Sequence, residues 1–234
     1  MAITLVQSNF NGQSGTLVAT PPPWSVATTA GNLLVVLGCE VNGTMNTWPT
    51  LPAGYTVMPS TPFIHYNAGI TGVHGGFSKI AAGSDATCGT YGETTSTQDW
   101  ETIIMEFANP GGWLNATVDV ESHTAVSSTQ QTSKAGVALA ALAQAVELAI
   151  VLDAHDISVT SESYASSAFA HVAGLNKLQG GWLETASAAS GLNTTASWTT
   201  SARAGIKLVT FRTAAPASID GANFIPGKHM VRFF

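Results

Sequence analysis

Residues 30–37 read AGNLLVVL, and residues 145–152 read AVELAIVL. Within them, the runs 33–37 and 148–152 are apolar at every position. A strand with one solvated face alternates apolar and polar residues, whereas a strand covered on both faces does not. We therefore predict that both runs are central strands with both faces covered.

A second pair of segments repeats in the same order along the chain. Residues 102–107 (TIIMEF) lie over residues 206–211 (IKLVTF) at an offset of 104, and the first two runs align at an offset of 115. Phe77 precedes the second segment in one half and Trp182 in the other, while Leu139 takes the place of Trp24. This order predicts two related halves, about 1–108 and 134–213, that duplicate one sheet motif and close on one core.

Turn residues recur every 8–12 positions and helix signals are scarce, which is typical of an all-β sandwich. Asn11-Gly12, Gly75-Gly76 and Gly180-Gly181 are among the predicted turns. We predict that residues 1–213 form a jelly-roll-like antiparallel β-sandwich. The predicted strands are 3–8, 32–41, 55–58, 72–80, 101–107, 116–120, 147–154, 167–171, 196–199 and 205–212.

Three motifs in the first half carry a resemblance to a known family. TAGNLLVV at 29–36, LPAGYT at 51–56 and IIMEF at 103–107 resemble a module of tailed-phage virion proteins that typically reads AGDLLV and PPAGWT. The likeness covers residues 30–107 and extends weakly over 145–212, where the Pro-Ala-Gly turn is not repeated. The resemblance implies a jelly-roll-like β-sandwich in a minor tail, fibre or capsid-decoration protein, with no catalytic residues.

Charge is sparse and unevenly spread in this chain. Of 234 residues only 22 are charged, while 50 are Ser or Thr. Residues 1–200 hold 13 acidic and 3 basic side chains, and such an acidic body argues against general nucleic-acid binding. Uncharged surfaces suit close packing against other subunits, because few ions need to be desolvated.

The C-terminal segment 214–234 contains two prolines, Pro216 and Pro226, which argue against a regular helix or central strand. It is nevertheless too apolar for a solvated tail. We predict that it docks, either on its own domain or on a neighbouring subunit, and our hypothesis is an intersubunit clamp. The predicted contact residues are Phe224, Ile225, Lys228, Met230, Arg232, Phe233 and Phe234.

Titratable residues form only weak clusters. Asp153 and His155 would share one strand face, as would Glu121 and His123, while Asp156 would reach the following loop. Polar groups that close a strand end are commoner than a metal or acid–base site, so this interpretation is favoured for both pairs. A hydrolase centred on Asp153 and His155 stays an alternative.

Other signatures of catalysis or metal binding are missing from the sequence. Glu101 and Glu106 are five residues apart and would lie on opposite strand faces, so they could not flank one glycosidic bond. Cys39 and Cys88 lack the spacing of a zinc site or a disulfide framework, and we expect buried free thiols. We therefore expect a non-enzymatic protein without a catalytic site, cofactor or metal.

Aromatic side chains offer a different function. Trp48 and Tyr55 bracket the 49–54 turn and could reach solvent together as a platform on which sugars stack. Packing in the core is, however, the commoner fate of Trp in a β-sandwich. We therefore keep a carbohydrate- or receptor-binding module at a tail-fibre tip as the alternative function and not as the leading one.

The apolar segment 135–152 has the length of a membrane span, but Gln144 and Glu147 interrupt it. We expect core rather than membrane. The N-terminal sequence does not read as a secretory signal, so we expect synthesis in the host cytoplasm. The leading hypothesis is a virion protein that decorates or cements the capsid, or else belongs to the tail. Its partners would be its own copies, in a homo-oligomer such as a trimer, and virion proteins such as the major capsid or tail protein.

Overall fold

The computed structural model describes residues 2–43, 48–67, 71–92, 97–144, 146–160, 163–165, 169–175, 177–185 and 191–214. These residues form sixteen strands. The strands of the first half are β1 Thr4–Thr16, β2 Val18–Ala19, β3 Leu33–Gly43, β4 Thr56–Val57, β5 Phe63–Asn67, β6 Thr71–Ile80, β7 Tyr91–Gly92 and β8 Gln98–Ala108. Those of the second half are β9 Trp113–His123, β10 Gln131–Ala135, β11 Glu147–His155, β12 Ser163–Ala165, β13 Ala170–Leu175, β14 Leu178–Glu184, β15 Thr195–Ala202 and β16 Ala204–Thr213.

Two large sheets dominate the fold, and every strand pairing in the described chain is antiparallel. The first sheet has the order β1-β8-β3-β6-β4, with β5 also paired to β6, and the second has the order β13-β14-β11-β16-β9. Two small sheets, β2-β7 and β10-β15-β12, complete the fold. The predicted all-β sandwich is therefore confirmed. Among the described residues, no helix is long and apolar enough to cross a membrane.

Each half has the strand order of a jelly roll. When the strands of a half are numbered one to eight, its large sheet contains the first, eighth, third and sixth strands side by side. The second strand pairs with the seventh in a separate sheet in both halves. This arrangement of eight strands in two sheets is the jelly-roll pattern. The halves differ at the fourth strand, because β4 joins β6 whereas β12 joins β15.

The strand registers of the two halves coincide with the offsets of the sequence repeat. Leu33 lies opposite Phe107 on β3 and β8, and Leu148 lies opposite Phe211 on β11 and β16. The offsets of 115 and 104 therefore relate equivalent positions in space. The halves consequently share their register as well as their topology.

Phe77 and Trp182, the aromatic residues that precede the second segment in each half, occupy positions one residue apart in the two registers. Phe77 lies opposite Val36, whereas Trp182 lies opposite Ile150, which is equivalent to Val35. Because side chains alternate along a strand, the two aromatic rings point to opposite faces. Phe77 packs in the outer cluster of the first half, and Trp182 packs against the core between the large sheets.

The large sheets face each other across a shared inner core. Alternate residues of β3 and β11 enter this core, and the residues between them enter an outer cluster of their own half. Both strands are therefore covered on both faces, as the unbroken apolar runs predict. The main inner-core residues are Leu33, Val35, Leu37, Ile103, Met105 and Phe107 from the first sheet, and Leu148, Ile150, Leu152, Val209 and Phe211 from the second.

All three of the turns named above lie inside strands instead, and the first of them, Asn11-Gly12, is in β1. Gly75 and Gly76 are in β6, and Gly180 and Gly181 are in β14. A Cβ atom at Gly75 would come within 2.4 Å of Thr61 Cγ2, and one at Gly181 within 2.8 Å of Tyr164 Cε2. These glycines therefore make room for neighbouring segments that pack on the sheet.

A buried polar contact has changed strands between the halves. In the first half Glu106 on β8 is fully buried and accepts hydrogen bonds from Asn32 Nδ2 at 2.7 Å and from the Thr29 amide at 2.8 Å. In the second half Glu147 occupies the position of Asn32, and Thr210 occupies the position of Glu106. The carboxylate thus sits on β11 and the hydroxyl on β16, and burial raises the pKa of Glu147.

The shared core predicts that the halves unfold together. Truncating Ile150, which is fully buried in the inner core, to Ala should lower the free energy of unfolding by about 2–5 kcal/mol. Tryptophan fluorescence and circular dichroism should follow one common transition in urea. Val137→Ala, at a side chain 47% exposed, is the control and should change stability by less than about 0.5 kcal/mol. Two separate transitions would contradict a shared core.

Candidate functional site

Trp48 does not reach solvent as predicted, because its exposed fraction is only 4%. Its ring packs against Phe77, Tyr91 and Trp100, with ring centroids 5.1–5.9 Å apart. Its indole N–H donates to Oε2 of the buried Glu40 at 3.1 Å. Trp48 therefore belongs to the outer core of the first half and lacks the open face that sugar stacking needs.

Tyr55 is half-buried beside a surface ion pair. The Lys79 ammonium lies 5.6 Å from the centre of its ring, within the range of a cation–π contact. Lys79 Nζ also donates to Asp85 Oδ1 at 2.7 Å. These contacts hold the Tyr55 ring in place. Trp48 is buried and does not form a second exposed ring beside it.

An open cleft of about 480 Å³ lies next to the buried Trp48. Its lining residues are Trp48, Leu51, Val57, Met58, Ser60, Thr61 and Pro62, none of which is charged. Leu51 and Val57 are 48% and 36% exposed. The cleft could hold an apolar group, but its lining offers no nucleophile paired with a base.

Asp153 and His155 do share one strand face, but they are fully buried. His155 Nε2 lies 3.2 Å from Asp153 Oδ2, and the Tyr164 hydroxyl donates to Asp153 Oδ1 at 2.6 Å. The His155 ring meets Trp198 edge to face at 4.5 Å. These groups lie beneath the β10-β15-β12 sheet. They form hydrogen bonds with one another and do not face a substrate.

Asp156 follows the end of β11, as predicted, and fixes the next turn. Its carboxylate accepts hydrogen bonds from the Arg203 amide and from Arg203 Nη1, both at 2.8 Å. The ion pair joins the segment after β11 to the start of β16. It therefore has a structural role.

Glu101 and Glu106 point to opposite faces, as the alternation predicts. Glu106 lies on the outer face of the first sheet, whereas Glu101 reaches the second half. Glu101 Oε2 accepts hydrogen bonds from the amides of Lys177 and Leu178 at 2.9 and 2.8 Å. Burial raises the pKa of Glu101, and these two amides oppose that rise.

Lys207 makes a buried polar contact between the halves, and no sequence motif marks it. Its side chain is 1% exposed and its ammonium donates to the carbonyl oxygens of Pro59 and Ser60. The ammonium also lies 3.2 Å from Glu121 Oε2. Burial lowers the pKa of Lys207, and Glu121 opposes this. Lys207 interrupts a run that reads as an apolar strand, and that interruption is the only sequence signal for it.

Glu121 is committed to this contact between the halves. The Ser60 hydroxyl donates to Glu121 Oε1 at 2.7 Å, and His123 Nδ1 lies 3.8 Å from the same oxygen. Glu121 and His123 share a face, as expected. The pair therefore helps to bind the 59–60 loop to the second sheet.

The two thiols are buried and free, as predicted. Burial raises the pKa of Cys88 to about 12 and also raises the pKa of Cys39. Both groups are therefore protonated near neutral pH and are poor nucleophiles. Among the described residues, no group of three or more His, Cys, Asp or Glu side chains could hold a metal ion.

The predicted subunit contacts Phe224, Ile225, Lys228, Met230, Arg232, Phe233 and Phe234 lie outside the described residues. Comparisons of the chain with models of protein families, with curated proteins and with solved structures found no match.

Replacing Lys207 with Met should destabilise the protein by about 3–5 kcal/mol, because the largely buried Glu121 carboxylate loses its lysine counter-charge and two carbonyl groups lose their donor. Adding Glu121→Gln should recover part of the loss, because the uncompensated charge is then gone. Urea unfolding of the single and double variants measures both effects. Lys134→Met is the control, since Lys134 makes one long, exposed hydrogen bond of 3.4 Å to Ala125. A double variant no more stable than Lys207→Met would contradict this account.

Asp85 should give a pH-dependent contribution to stability. Burial opposes its ionisation, but hydrogen bonds from Lys79 and Thr28 outweigh this and lower the pKa of Asp85. A lowered pKa in the folded state adds stability above the ordinary pKa of 3.8, and this stability is lost as the pH falls through the folded value. Asp85→Asn should therefore cost about 1–3 kcal/mol near pH 7 and much less near pH 2.

Urea titrations of wild type and Asp85→Asn at several pH values measure that difference. Asp99→Asn is the matched control, because Asp99 accepts a hydrogen bond from Ser14 at 2.5 Å at an exposed position. A loss for Asp85→Asn that stays constant down to low pH would contradict the role given to its charge.

Proposed function

We propose that this protein is a structural component of a bacteriophage virion that self-associates and covers the head or forms part of the tail. The observation that carries the proposal is the scarcity of charge on its surface. The chain has 22 charged residues, and six of those that the structure describes are buried. The buried six are Glu40, Glu106, Glu147, Asp153, Asp156 and Lys207.

A surface with at most 16 charged side chains over 10687 Å² suits contact with other subunits. Contacts that desolvate few ions avoid the main penalty of polar interfaces. Many modest contacts, repeated over a particle, hold a subunit firmly through multivalency. The low charge therefore supports a protein that functions in an assembly.

The residues behind the resemblance to phage virion modules have structural roles here. Gly31 has a φ of +86°, and its amide donates to the Ala81 carbonyl just before β3. Gly54 has a φ of +78°, and the Tyr55 amide closes a turn onto the Pro52 carbonyl at 3.2 Å. These positions need glycine. The motifs thus report on architecture, which supports a relationship in fold with virion modules.

The jelly-roll fold adds a further argument by analogy. Viral capsid and lectin domains use this architecture, although a fold by itself does not define a function. The buried Glu106, Asp153 and Lys207 make their contacts in the core or at the junction between the halves. A structural role therefore accounts for them without a reaction.

Removing residues 215–234 should weaken assembly, because this segment supplies seven large apolar side chains and two cations, Lys228 and Arg232, to an otherwise acidic protein. The truncated chain should show a lower oligomeric mass by sedimentation. It should also be incorporated less into particles purified from infected cells that supply the tagged chain.

A full-length variant with Phe233→Ser and Phe234→Ser is the matched control for chain length. It should show the same defect in milder form. Unchanged oligomeric mass together with unchanged incorporation of the truncated chain would refute the clamp.

A further inference from the structure

Strand β1 forms one edge of the first sheet. It spans Thr4–Thr16 and pairs with β8, and no other described strand pairs with it. Irregularities in its register occur only between Leu5 and Gln7 and between Gln13 and Thr16. Residues 7–13 therefore present a regular row of backbone groups along this edge, in which the Phe10 amide donates to the neighbouring Asn9 Oδ1 at 2.9 Å.

Charged side chains and proline, two of the usual protections of an edge, are missing from β1, and its register irregularities lie only towards its two ends. Natural sheets guard open edges with charged side chains, proline or very short strands. β1 has thirteen residues and no proline, and the first charged residue of the chain is Glu40. An edge of this kind is suited to pairing with another strand.

The second half provides an internal comparison, because β9 occupies the equivalent edge of its sheet. Ser8 lies opposite Met105, and Glu121 lies opposite Val209, the equivalent of Met105. By the same register His123 stands where β1 has Phe10. One edge of the duplicated fold thus carries titratable groups, and the other carries only neutral ones.

One face of β1 is already occupied by its own chain. Asn9 Nδ2 donates to the Pro23 carbonyl at 3.1 Å, and Asn11 Nδ2 donates to the Thr20 carbonyl at 2.9 Å. Gln7 makes two further bonds to the backbone of Val26. These amides hold the 20–26 segment, whose three prolines lack N–H groups, and they keep β1 in place.

The other face of β1 leaves large apolar groups in water. Val6 is 46% exposed and Phe10 is 41% exposed. Both lie on a strand whose edge is open, so a strand added there would cover their flanks. The strand is therefore anchored on one face, while its edge is not paired with another described strand and Val6 and Phe10 are partly exposed.

We propose that β1 pairs antiparallel with β1 of a second copy, about a two-fold axis at Phe10. This inference rests on the self-association proposed above and names the surface that makes it. Full overlap of the two strands Thr4–Thr16 places their midpoints, Phe10, opposite each other. Ser8 then faces Gly12, and Val6 faces Ser14, so that only neutral side chains meet.

A second copy fits this edge better than the chain's own C-terminal segment does. That segment carries Lys228 and Arg232, and β1 has no acidic side chain to pair with them. Two neutral strands meet without unpaired charge and join the two first sheets into one continuous sheet. The interface is isologous, as in most homodimers.

Lysine substitutions at the edge test this pairing in the full-length chain. Phe10→Lys and Ser8→Lys should each reduce the sedimentation mass about twofold, because both place ammonium groups in the joined sheet. Ser8→Thr keeps the edge neutral and should leave the mass unchanged. Thr117→Lys adds the same charge to an exposed residue of β9 and should also leave it unchanged.

Cysteine trapping tests the position of the axis. Phe10→Cys should form a disulfide between copies on mild oxidation, since directly opposed residues lie about 4.5–5.5 Å apart. Ser14→Cys should not, because its own counterpart would be over 20 Å away at this register. Cys39 and Cys88 are buried and should not contribute. Equal cross-linking of both variants, or edge lysines that leave the mass unchanged, would overturn the pairing.

These outcomes separate this inference from the proposed function. A chain that enters particles while edge lysines and Phe10→Cys have no effect keeps the virion role and overturns β1 pairing. A wild-type chain that stays monomeric and does not enter particles overturns both. Loss of association on deleting 215–234, with intact association in the lysine variants, assigns the contact to the C-terminal segment and also overturns β1 pairing.

Discussion

The contact between the inner faces of the two large sheets is the interaction on which the rest of the structure depends. β3 and β11 send Val35, Leu37, Ile150 and Leu152 into this contact, where all four are essentially buried. The residues of β3 and β11 that point away from this contact are also apolar, so the outer face of each large sheet must be covered as well. Each half therefore carries its own cover, the β2-β7 pair with its loops or the β10-β15-β12 sheet. The result is a single-chain pair of jelly rolls that meet as two subunits of a dimer would.

The common frame has allowed equivalent polar positions to diverge. The carboxylate of the Glu106 cluster has its counterpart on the neighbouring strand, as Glu147. The position of Glu40, which accepts the Trp48 indole N–H, is taken in the second half by His155, whose ring packs on Trp198. In each case the buried group keeps a partner, because an unpaired polar group in the core would cost several kcal/mol. The two halves share the same backbone arrangement, but different side chains provide the hydrogen-bond partners of their buried polar groups.

The surface follows from the same arrangement. Buried carboxylates and Lys207 link loops and halves inside the molecule, and this leaves few charges outside. The two sheet edges have diverged as well, since β9 is tied to β16 by Lys207–Glu121 and by the 2.9 Å pair Arg212–Asp119, whereas β1 is neutral. The molecule thus keeps six of its charged side chains buried and leaves the β1 edge without a charged residue.

The sequence by itself determined the central strands, the repeat and its register, because these depend on apolar runs that no other packing could bury. The sequence also determined that Glu101 and Glu106 point to opposite faces of β8, because the alternation of side chains depends only on their spacing along the strand. Only the tertiary structure decided that Gly75, Gly76, Gly180 and Gly181 lie inside strands, because the segments that press on them are distant in sequence. The burial of Trp48 and the role of Lys207 were likewise decided there. Both depend on what lies above a sheet face, and a strand pattern does not specify which part of the chain will cover it.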